Sequence, residues 1–212
     1  MKSTKLIKIF PISWGDSLKK SKIPIVLTIA GSDSGSGAGI QADLKTFSSL
    51  GVYGTTAITV VTSQNTKGVR DVSALDLSMI SSQIDCLVED FDLRAIKTGM
   101  LFTPDIVKIV SDKAKEYKWE KLIVDPVMVA SSGDTLLRAE AISEYKNSLI
   151  PMSFAITPNI PELATLVGEK IISMNNVNDA CMKIRKLGAN NIIVKGGHDN
   201  NKKDSIDVLY SK

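Results

Sequence analysis

Five groups of polar residues follow apolar runs in this sequence, and their types suit phosphate chemistry. They are Asp33 with a glycine-rich loop, residues 97–100 (KTGM), Asp125, Asn159 with Glu162, and Lys195. Carboxylate oxygens suit Mg²⁺, which keeps several waters and needs only one or two protein carboxylates. A lysine can offset charge on a transferring phosphoryl group. Each residue alone also fits a turn or a helix cap, but their recurrence after successive apolar runs favours function.

Short apolar runs alternate with segments of helical periodicity, and these elements must position the polar groups. Strands are predicted at residues 25–30, 55–61, 95–98, 122–124, 154–157, 191–195 and 205–210. Helices are predicted at residues 40–50, 77–89, 104–117, 139–149, 161–167 and 177–187. Residues 63–76 predict a hairpin or flap. The alternation predicts a three-layer αβα sandwich, with a mostly parallel central sheet and helices on both faces. Ligands bind such sheets beyond the carboxyl ends of the strands.

The composition is that of an ordinary globular protein of 212 residues, with 43% hydrophobic and 23% charged residues and a net charge of +3. We expect one domain over residues 25–212 and an N-terminal extension over residues 1–24. Basic residues form no stripe with aromatics and no apolar run could span a bilayer, so neither nucleic acid nor membrane is an expected partner. The single histidine, His198, excludes a metal site with two histidines. Cys86 and Cys181 are expected to be buried, reduced thiols, which indicates a cytoplasmic protein.

The glycine-rich loop at residues 31–39 (GSDSGSGAG) matches neither common phosphate-binding fingerprint. Ile40 stands where a dinucleotide fingerprint needs its third glycine, and no lysine follows Gly39 as a Walker A loop requires. The loop is then either a long connection or a segment whose backbone approaches a ligand beside a helix N-terminus. Gln41 and Asp43, just inside the predicted helix, favour the ligand.

Six segments together resemble one enzyme family: AGSDSGSGAGIQADLKTFSSLGVYG, TSQNTKGV, AIKTGM, IVDPVMVASSGDTLL, ITPNIPELATLVG and IVKGGH. They are similar to the hydroxymethylpyrimidine and phosphomethylpyrimidine kinases of thiamine biosynthesis, in the ribokinase superfamily. The resemblance covers roughly residues 25–210. It implies a ribokinase-like fold, with ATP and Mg²⁺ as cofactors. The implied reaction is phosphorylation of 4-amino-5-hydroxymethyl-2-methylpyrimidine, and then of its monophosphate.

The resemblance also implies roles for individual residues. On the substrate side, Gln41 would hydrogen-bond the aminopyrimidine, Asp33 and Gly39 would line the pocket, and Met100 and Val127 would pack against the ring. On the cofactor side, the implied residues are Lys195 facing the ATP phosphates, Asn159, and Asp125 and Glu162, the last two also at the Mg²⁺ ion. Residues 64–69 would form a flap over the pyrimidine and exclude water.

The same family carries a Gly-Thr-Gly-Cys loop beyond the last strand, which holds the transferring phosphoryl group and supplies the base. No such motif occurs in these 212 residues, so no catalytic residue is predicted and the domain is expected to be C-terminally incomplete. One alternative is an inactive or split-enzyme remnant that binds the ligand. Another is a pyridoxal kinase-like enzyme, against which Gln41 and the QNT segment argue. The expected partner is a small pyrimidine, and a homodimer remains open.

Overall fold

Strands and helices alternate in the structure much as the apolar runs predict. This computed structural model describes residues 23–128, 139–196 and 205–211. The predicted extension before residue 23, the stretch from Val129 to Leu137 of the IVDPVMVASSGDTLL segment, and Gly197 with His198 lie outside the described residues. The division at residue 24 stays a prediction.

The described elements are eight strands and six α-helices. The strands are β1 (Ile25–Asp33), β2 (Tyr53–Asn65), β3 (Gly68–Ala74), β4 (Leu93–Thr98), β5 (Leu122–Val124), β6 (Ala155–Ile156), β7 (Asn191–Val194) and β8 (Val208–Tyr210). The helices are α1 (Gly39–Ser49), α2 (Leu77–Asp90), α3 (Pro104–Glu116), α4 (Ala139–Glu144), α5 (Ile160–Val167) and α6 (Met174–Lys186). The predicted hairpin is confirmed, because β2 and β3 pair antiparallel.

All eight strands form one sheet in the order β3-β2-β1-β4-β5-β6-β7-β8. The six inner strands are parallel, and the edge strands β3 and β8 run antiparallel to their neighbours. The chain leaves β1 for β2 on one side and later returns to β4 on the other. This reversal of strand order opens a crevice at the carboxyl ends of β1 and β4, where open α/β sheets bind ligands.

The two faces of the sheet are covered by different helices. Leu27 and Ile29 of β1 belong to the main core, together with buried side chains of α2, α3, α5 and α6. Thr28 points the opposite way by strand alternation and donates a hydrogen bond to Asp43 of α1. The helix α1 therefore lies on the other face, and the predicted three-layer sandwich is confirmed.

Two local predictions need correction. The predicted helix over residues 139–149 is α-helical only to Glu144 and continues as a π-helical turn (Tyr145–Leu149) before a 3₁₀ turn. Pro151 lies in that 3₁₀ turn and lacks the N–H that a regular helix would need there. Cys181 is buried as predicted, but Cys86 is exposed. Cys86 follows the buried Ile84 by two positions, which places it about 200° around α2, on the solvent side.

Candidate active site at the carboxyl ends of the strands

Asp33 holds the glycine-rich loop through its own carboxylate. Its Oδ1 accepts a hydrogen bond from the backbone N–H of Gly35 at 2.7 Å. Its Oδ2 accepts from the backbone N–H groups of Gly37 and Ala38, both at 2.9 Å. Successive backbone N–H groups of this kind form a concavity that binds anions. Here the chain's own buried carboxylate fills it, so the loop is not an open phosphate cradle.

Gly39 brings the loop back onto strand β1. Its φ is +57°, and a Cβ added there would lie 2.2 Å from the carbonyl oxygen of Gly31. Only glycine tolerates both that φ and that close approach. A Cβ added at Gly31 would lie 3.7 Å from Sδ of Met100, so Met100 reaches the same end of β1. Gly39 and Met100 thus both lie beside Gly31, at the carboxyl end of β1.

Gln41 is oriented by two hydrogen bonds to the end of β1. Its Oε1 accepts from the backbone N–H of Asp33 at 2.9 Å, and its Nε2 donates to Oγ of Ser32 at 2.7 Å. A primary amide has two acceptor lone pairs and two donor hydrogens. One of each remains after these contacts. The half-buried side chain can therefore offer an adjacent donor and acceptor in a fixed direction.

The β2–β3 hairpin is fastened to the glycine-rich loop at Ser34. Its hydroxyl donates to the carbonyl oxygen of Gln64 and accepts from the N–H of the same residue, both at 2.8 Å. A surface pocket of about 230 Å³ lies beside this contact. It is lined by Ser34, Ser63, Gln64, Asn65 and Arg70. The hairpin is thus held next to the crevice, where the flap was predicted.

Asp43 and Lys97 join α1 to the end of β4. Nζ of Lys97 donates to both carboxylate oxygens of Asp43 at 2.9 Å. The hydroxyl of Thr28 donates to Oδ2 of the same carboxylate at 2.5 Å. Nζ of Lys97 also lies 3.9 Å from Oδ2 of Asp125, at the end of β5. The ammonium group thus stands between two carboxylates that belong to different elements.

Asp125, Lys195 and Glu162 continue this row of charges towards β7. Nζ of Lys195 donates to Oδ1 of Asp125 at 2.7 Å and lies 3.8 Å from Oε2 of Glu162. The hydroxyl of Thr157 donates to the same Oδ1 at 3.1 Å. The backbone positions Lys195, whose N–H donates to the carbonyl oxygen of Pro158 at 2.9 Å.

Asn159 and Glu162 form a capping box at the start of α5. Oδ1 of Asn159 accepts from the N–H of Glu162 at 2.7 Å, and Oε2 of Glu162 accepts from the N–H of Asn159 at 2.8 Å. The helix-cap role that the sequence also allowed for these residues is therefore present. Glu162 is also only 4% exposed. Burial raises the pKa of its carboxyl above the ordinary value, although the Asn159 hydrogen bond and the Lys195 charge lower it.

Tyr145 lies beneath the charged row in the π-helical turn. Its side chain is fully buried, and its hydroxyl lies 3.4 Å from the carbonyl oxygen of Gly99, a long contact for a hydrogen bond. Burial raises the pKa of Tyr145, and the negative charges of Asp125 and Glu162 add to this effect. The hydroxyl therefore stays protonated.

Comparison with known proteins identifies the family. The sequence model of the family described as phosphomethylpyrimidine kinase matches residues 33–212. The chain belongs to the phosphomethylpyrimidine kinase family. It is 49% identical, over 184 residues, to the hydroxymethylpyrimidine/phosphomethylpyrimidine kinase of Bacillus subtilis. That match covers 87% of this chain and 68% of the relative.

Solved structures agree with the family and with its ribokinase-like α/β fold. The phosphomethylpyrimidine kinase of Clostridium difficile superposes with a TM-score of 0.82 at 45% identity, covering 90% of this chain and 81% of that one. A pyridoxal kinase of Bacillus subtilis, solved with ADP, superposes with a TM-score of 0.80 at 35% identity. That match covers 89% of this chain and 71% of the pyridoxal kinase.

The structure brings most of the predicted site residues of this family member to one edge of the sheet. Asp33, Gly39, Gln41 and Met100 lie around the end of β1. Asp125, Asn159, Glu162 and Lys195 form the second group. Val127 is half-buried in the turn after β5, where its N–H donates to the carbonyl oxygen of Asp125.

The sequence placed Asp43 and Lys97 among the polar residues near the expected site without assigning a partner to either, and it assigned no role to Thr157. All three were visible as polar residues at a helix start or a strand end. The pairing of Lys97 with Asp43 spans 54 positions and depends on β4 lying beside β1, so spacing alone could not reveal it.

The residues around Lys195 fit a magnesium–nucleotide complex. Asp125 and Glu162 already share one cation, the ammonium of Lys195. Two carboxylates suffice for Mg²⁺, which retains waters for its other positions. Among the described residues, no group of three or more His, Cys, Asp or Glu side chains could hold a metal ion.

No helix among the described residues is long and apolar enough to cross a membrane.

Proposed function

We propose that this chain phosphorylates 4-amino-5-hydroxymethyl-2-methylpyrimidine with ATP and Mg²⁺, and then phosphorylates the monophosphate. In the first step the bond between the γ-phosphorus and the oxygen that bridges to the β-phosphate breaks, and a bond from the γ-phosphorus to the hydroxymethyl oxygen forms. ADP leaves, and the hydroxyl proton is released to solvent. One observation carries the proposal: an oriented amide at the end of β1 lies at the same sheet edge as a lysine shared by two carboxylates.

The β1 side suits the pyrimidine. The remaining donor and acceptor of Gln41 match an exocyclic amine beside a ring nitrogen. The amides of Gly35, Gly37 and Ala38 are occupied by Asp33, so this loop suits the neutral pyrimidine ring of the acceptor rather than a phosphate group. Met100 offers an apolar thioether at the same end of β1. The hairpin fastened to Ser34 would limit access of water to the acceptor.

The β5–β7 side suits the nucleotide. Lys195 would meet the phosphates, Asp125 and Glu162 would hold Mg²⁺ largely through water, and Asn159 keeps Glu162 in place through the capping box. When bound, MgATP would supply the phosphoryl group, and its Mg²⁺ would neutralise part of the negative charge on the phosphates. Phosphoryl transfer depends mostly on positioning and on electrostatic stabilisation. The row of charged residues contributes positioning and electrostatic stabilisation, because it fixes the Lys97 ammonium between the two sides of the crevice.

A pyridoxal kinase activity is the less favoured alternative. Identity is 49% and 45% to the two pyrimidine kinases and 35% to the pyridoxal kinase. A panel containing the pyrimidine, its monophosphate and pyridoxal discriminates between the two. A preference for pyridoxal would contradict the proposal.

The decisive experiment measures turnover and binding with the same preparation. The purified 212-residue chain is incubated with MgATP and the pyrimidine, and phosphorylated product is quantified by chromatography. Calorimetry measures pyrimidine binding in parallel. Product formation supports the kinase, binding without product favours the inactive or split-enzyme alternative, and absence of both contradicts the proposed substrate.

We propose that the protein lies in the cytoplasm. Both cysteines, Cys86 and Cys181, are free, which fits a reducing compartment. Burial raises the pKa of Cys181 to about 11, so this thiol is unreactive at neutral pH. The homodimer stays a prediction, which light scattering on the purified chain tests.

A further inference from the structure

Lys97 lies between one carboxylate on each of the two proposed sides of the site. Its Nζ is 2.9 Å from both oxygens of Asp43 and 3.9 Å from Oδ2 of Asp125. Asp43 belongs to α1, and Asp125 follows β5. The covalent route between those carboxylates runs through 82 positions of the chain, whereas Lys97 connects them through one ammonium group.

The surroundings fix the Lys97 ammonium in this position. The side chains of Lys97, Asp43 and Asp125 are 25%, 16% and 19% exposed, so solvent screens their charges less than at an open surface. A Cβ added at Gly99 would lie 3.4 Å from Nζ of Lys97, so any side chain at position 99 would contact the ammonium group. A buried carboxylate that loses its cationic partner is strongly destabilised. Asp43 therefore depends on Lys97.

Asp43 lies near the residues proposed to bind the pyrimidine, and Asp125 lies among those proposed to bind the nucleotide. Asp43 lies two residues after Gln41 on α1, and Gln41 holds the end of β1 through Asp33 and Ser32. Asp125 shares Lys195 with Glu162, on the side proposed for the nucleotide. Binding of a Mg²⁺–nucleotide complex would change the charges around Asp125, because the phosphates would attract Lys195 and the Mg²⁺ would share the Asp125 carboxylate with Lys97. The position of Lys97 between Asp125 and Asp43 would then change, and helix α1 with it.

We propose that Lys97 is a positioning residue that couples the acceptor pocket to the nucleotide side, by holding Asp43 and Asp125 with one ammonium group. This inference rests on the proposed function, because it requires that both ligands bind. It assigns Lys97 no contact with the reacting atoms. Coupling between two sites is reciprocal, so either ligand reports it.

The test measures the affinity for the pyrimidine by calorimetry, with and without Mg²⁺ and a non-hydrolysable ATP analogue. For the wild-type chain we expect the two affinities to differ by about fivefold or more. In Lys97→Met the ratio of these two affinities should fall towards one. In Lys97→Arg the ratio should lie between the Lys97→Met and wild-type values. Since Lys97→Met leaves Asp43 unpaired, the double variant Asp43→Asn/Lys97→Met serves if the single variant does not fold. Lys108→Met, from an exposed pair with Asp112, is the matched control and should keep the wild-type ratio.

The outcomes separate this inference from the proposed function. A wild-type ratio retained in the foldable Lys97 variant overturns the coupling and leaves the kinase proposal standing. A ratio of one in the wild-type chain overturns it as well. If the wild-type chain binds neither ligand, the proposed function fails and the coupling fails with it. A purely structural role for Lys97 would lower stability without changing the ratio.

Discussion

The Oε1 atom of Gln41 accepts a hydrogen bond from the backbone N–H of Asp33 at 2.9 Å, which ties the first turn of α1 to the last residue of β1. The same residue, Asp33, holds the loop between them through its carboxylate. Strand, loop and helix thus form one hydrogen-bonded unit. The side chain proposed to recognise the pyrimidine is also part of what shapes its pocket.

The structural and ligand-binding roles of Gln41 are separable by substitution. Gln41→Glu keeps an acceptor for Asp33 and an oxygen for the Ser32 hydroxyl, but offers the ligand no donor. We expect a stability close to wild type and a pyrimidine affinity at least about tenfold weaker, the equivalent of one lost hydrogen bond. Calorimetry measures the affinity. Unchanged affinity in Gln41→Glu would remove Gln41 from the binding site.

Replacement of Asp33 by asparagine tests the closure of the loop. Asparagine has one acceptor oxygen where the carboxylate has two, so at least one of the three backbone N–H groups loses its hydrogen bond to a charged acceptor. The free energy of unfolding should fall by about 1–3 kcal/mol, measured by urea denaturation. The control is Asp92→Asn, at a side chain 85% exposed, which should change stability by less than about 0.5 kcal/mol. Equal effects in the two variants would argue against the loop anchor.

Gly39→Ala tests the close approach of the loop to β1. The new Cβ would lie 2.2 Å from the Gly31 oxygen, at a φ of +57°, so the backbone must move. We expect a loss of about 1–3 kcal/mol of stability and weaker pyrimidine binding. Gly51→Ala is the control, because its φ is also positive, at +69°, but nothing lies within 4 Å of the added Cβ. The prediction fails if both variants lose the same stability.

Glu162 should make stability depend on pH. Its folded pKa is raised by burial above the ordinary value of 4.5, so the folded state holds this proton more tightly than the unfolded state. The resulting stabilisation is fully present below pH 4.5 and is lost as the pH rises through the folded pKa. Glu162→Gln lacks this titration and can still accept the Asn159 hydrogen bond. Relative to wild type, it should therefore gain stability as the pH rises above 4.5.

Thermal unfolding between pH 4 and pH 8 measures this difference. The control is Glu169→Gln, whose side chain is 57% exposed and paired with Lys183 on the surface. It should follow the wild-type pH profile. A pH-independent difference between Glu162→Gln and wild type would show that the Glu162 pKa is not raised.

Asp125 should matter more for the nucleotide than for the pyrimidine. Asp125→Asn removes the carboxylate that Lys195 contacts at 2.7 Å and that is proposed to hold Mg²⁺. We expect the affinity for a Mg²⁺–nucleotide complex to fall about 10–100-fold. When a chelator removes Mg²⁺, the nucleotide affinities of Asp125→Asn and of the wild-type chain should differ less. Calorimetry in the presence and absence of Mg²⁺ checks this. Equal loss in both conditions would argue against a metal at Asp125.

The sequence by itself determined most of the elements and located most of the polar residues that the structure brings to one edge of the sheet. Apolar runs such as residues 25–30 are short and bounded by turn residues, so periodicity and length located them. Asp125, Asn159, Glu162 and Lys195 follow such runs, and parallel strands bring their carboxyl ends to one edge. The capping box of Asn159 and Glu162 was equally legible, because it depends on a spacing of three residues.

Only the tertiary structure decided which of these polar groups touch one another. The strand order places β4 beside β1, which brings Lys97 to Asp43 and within reach of Asp125. It also determined that the Asp33 carboxylate fills its own loop and that Gly39 lies against Gly31. Periodicity reports on neighbours within a few residues along one element. Contacts between elements depend on strand order and helix packing, which a local pattern does not contain.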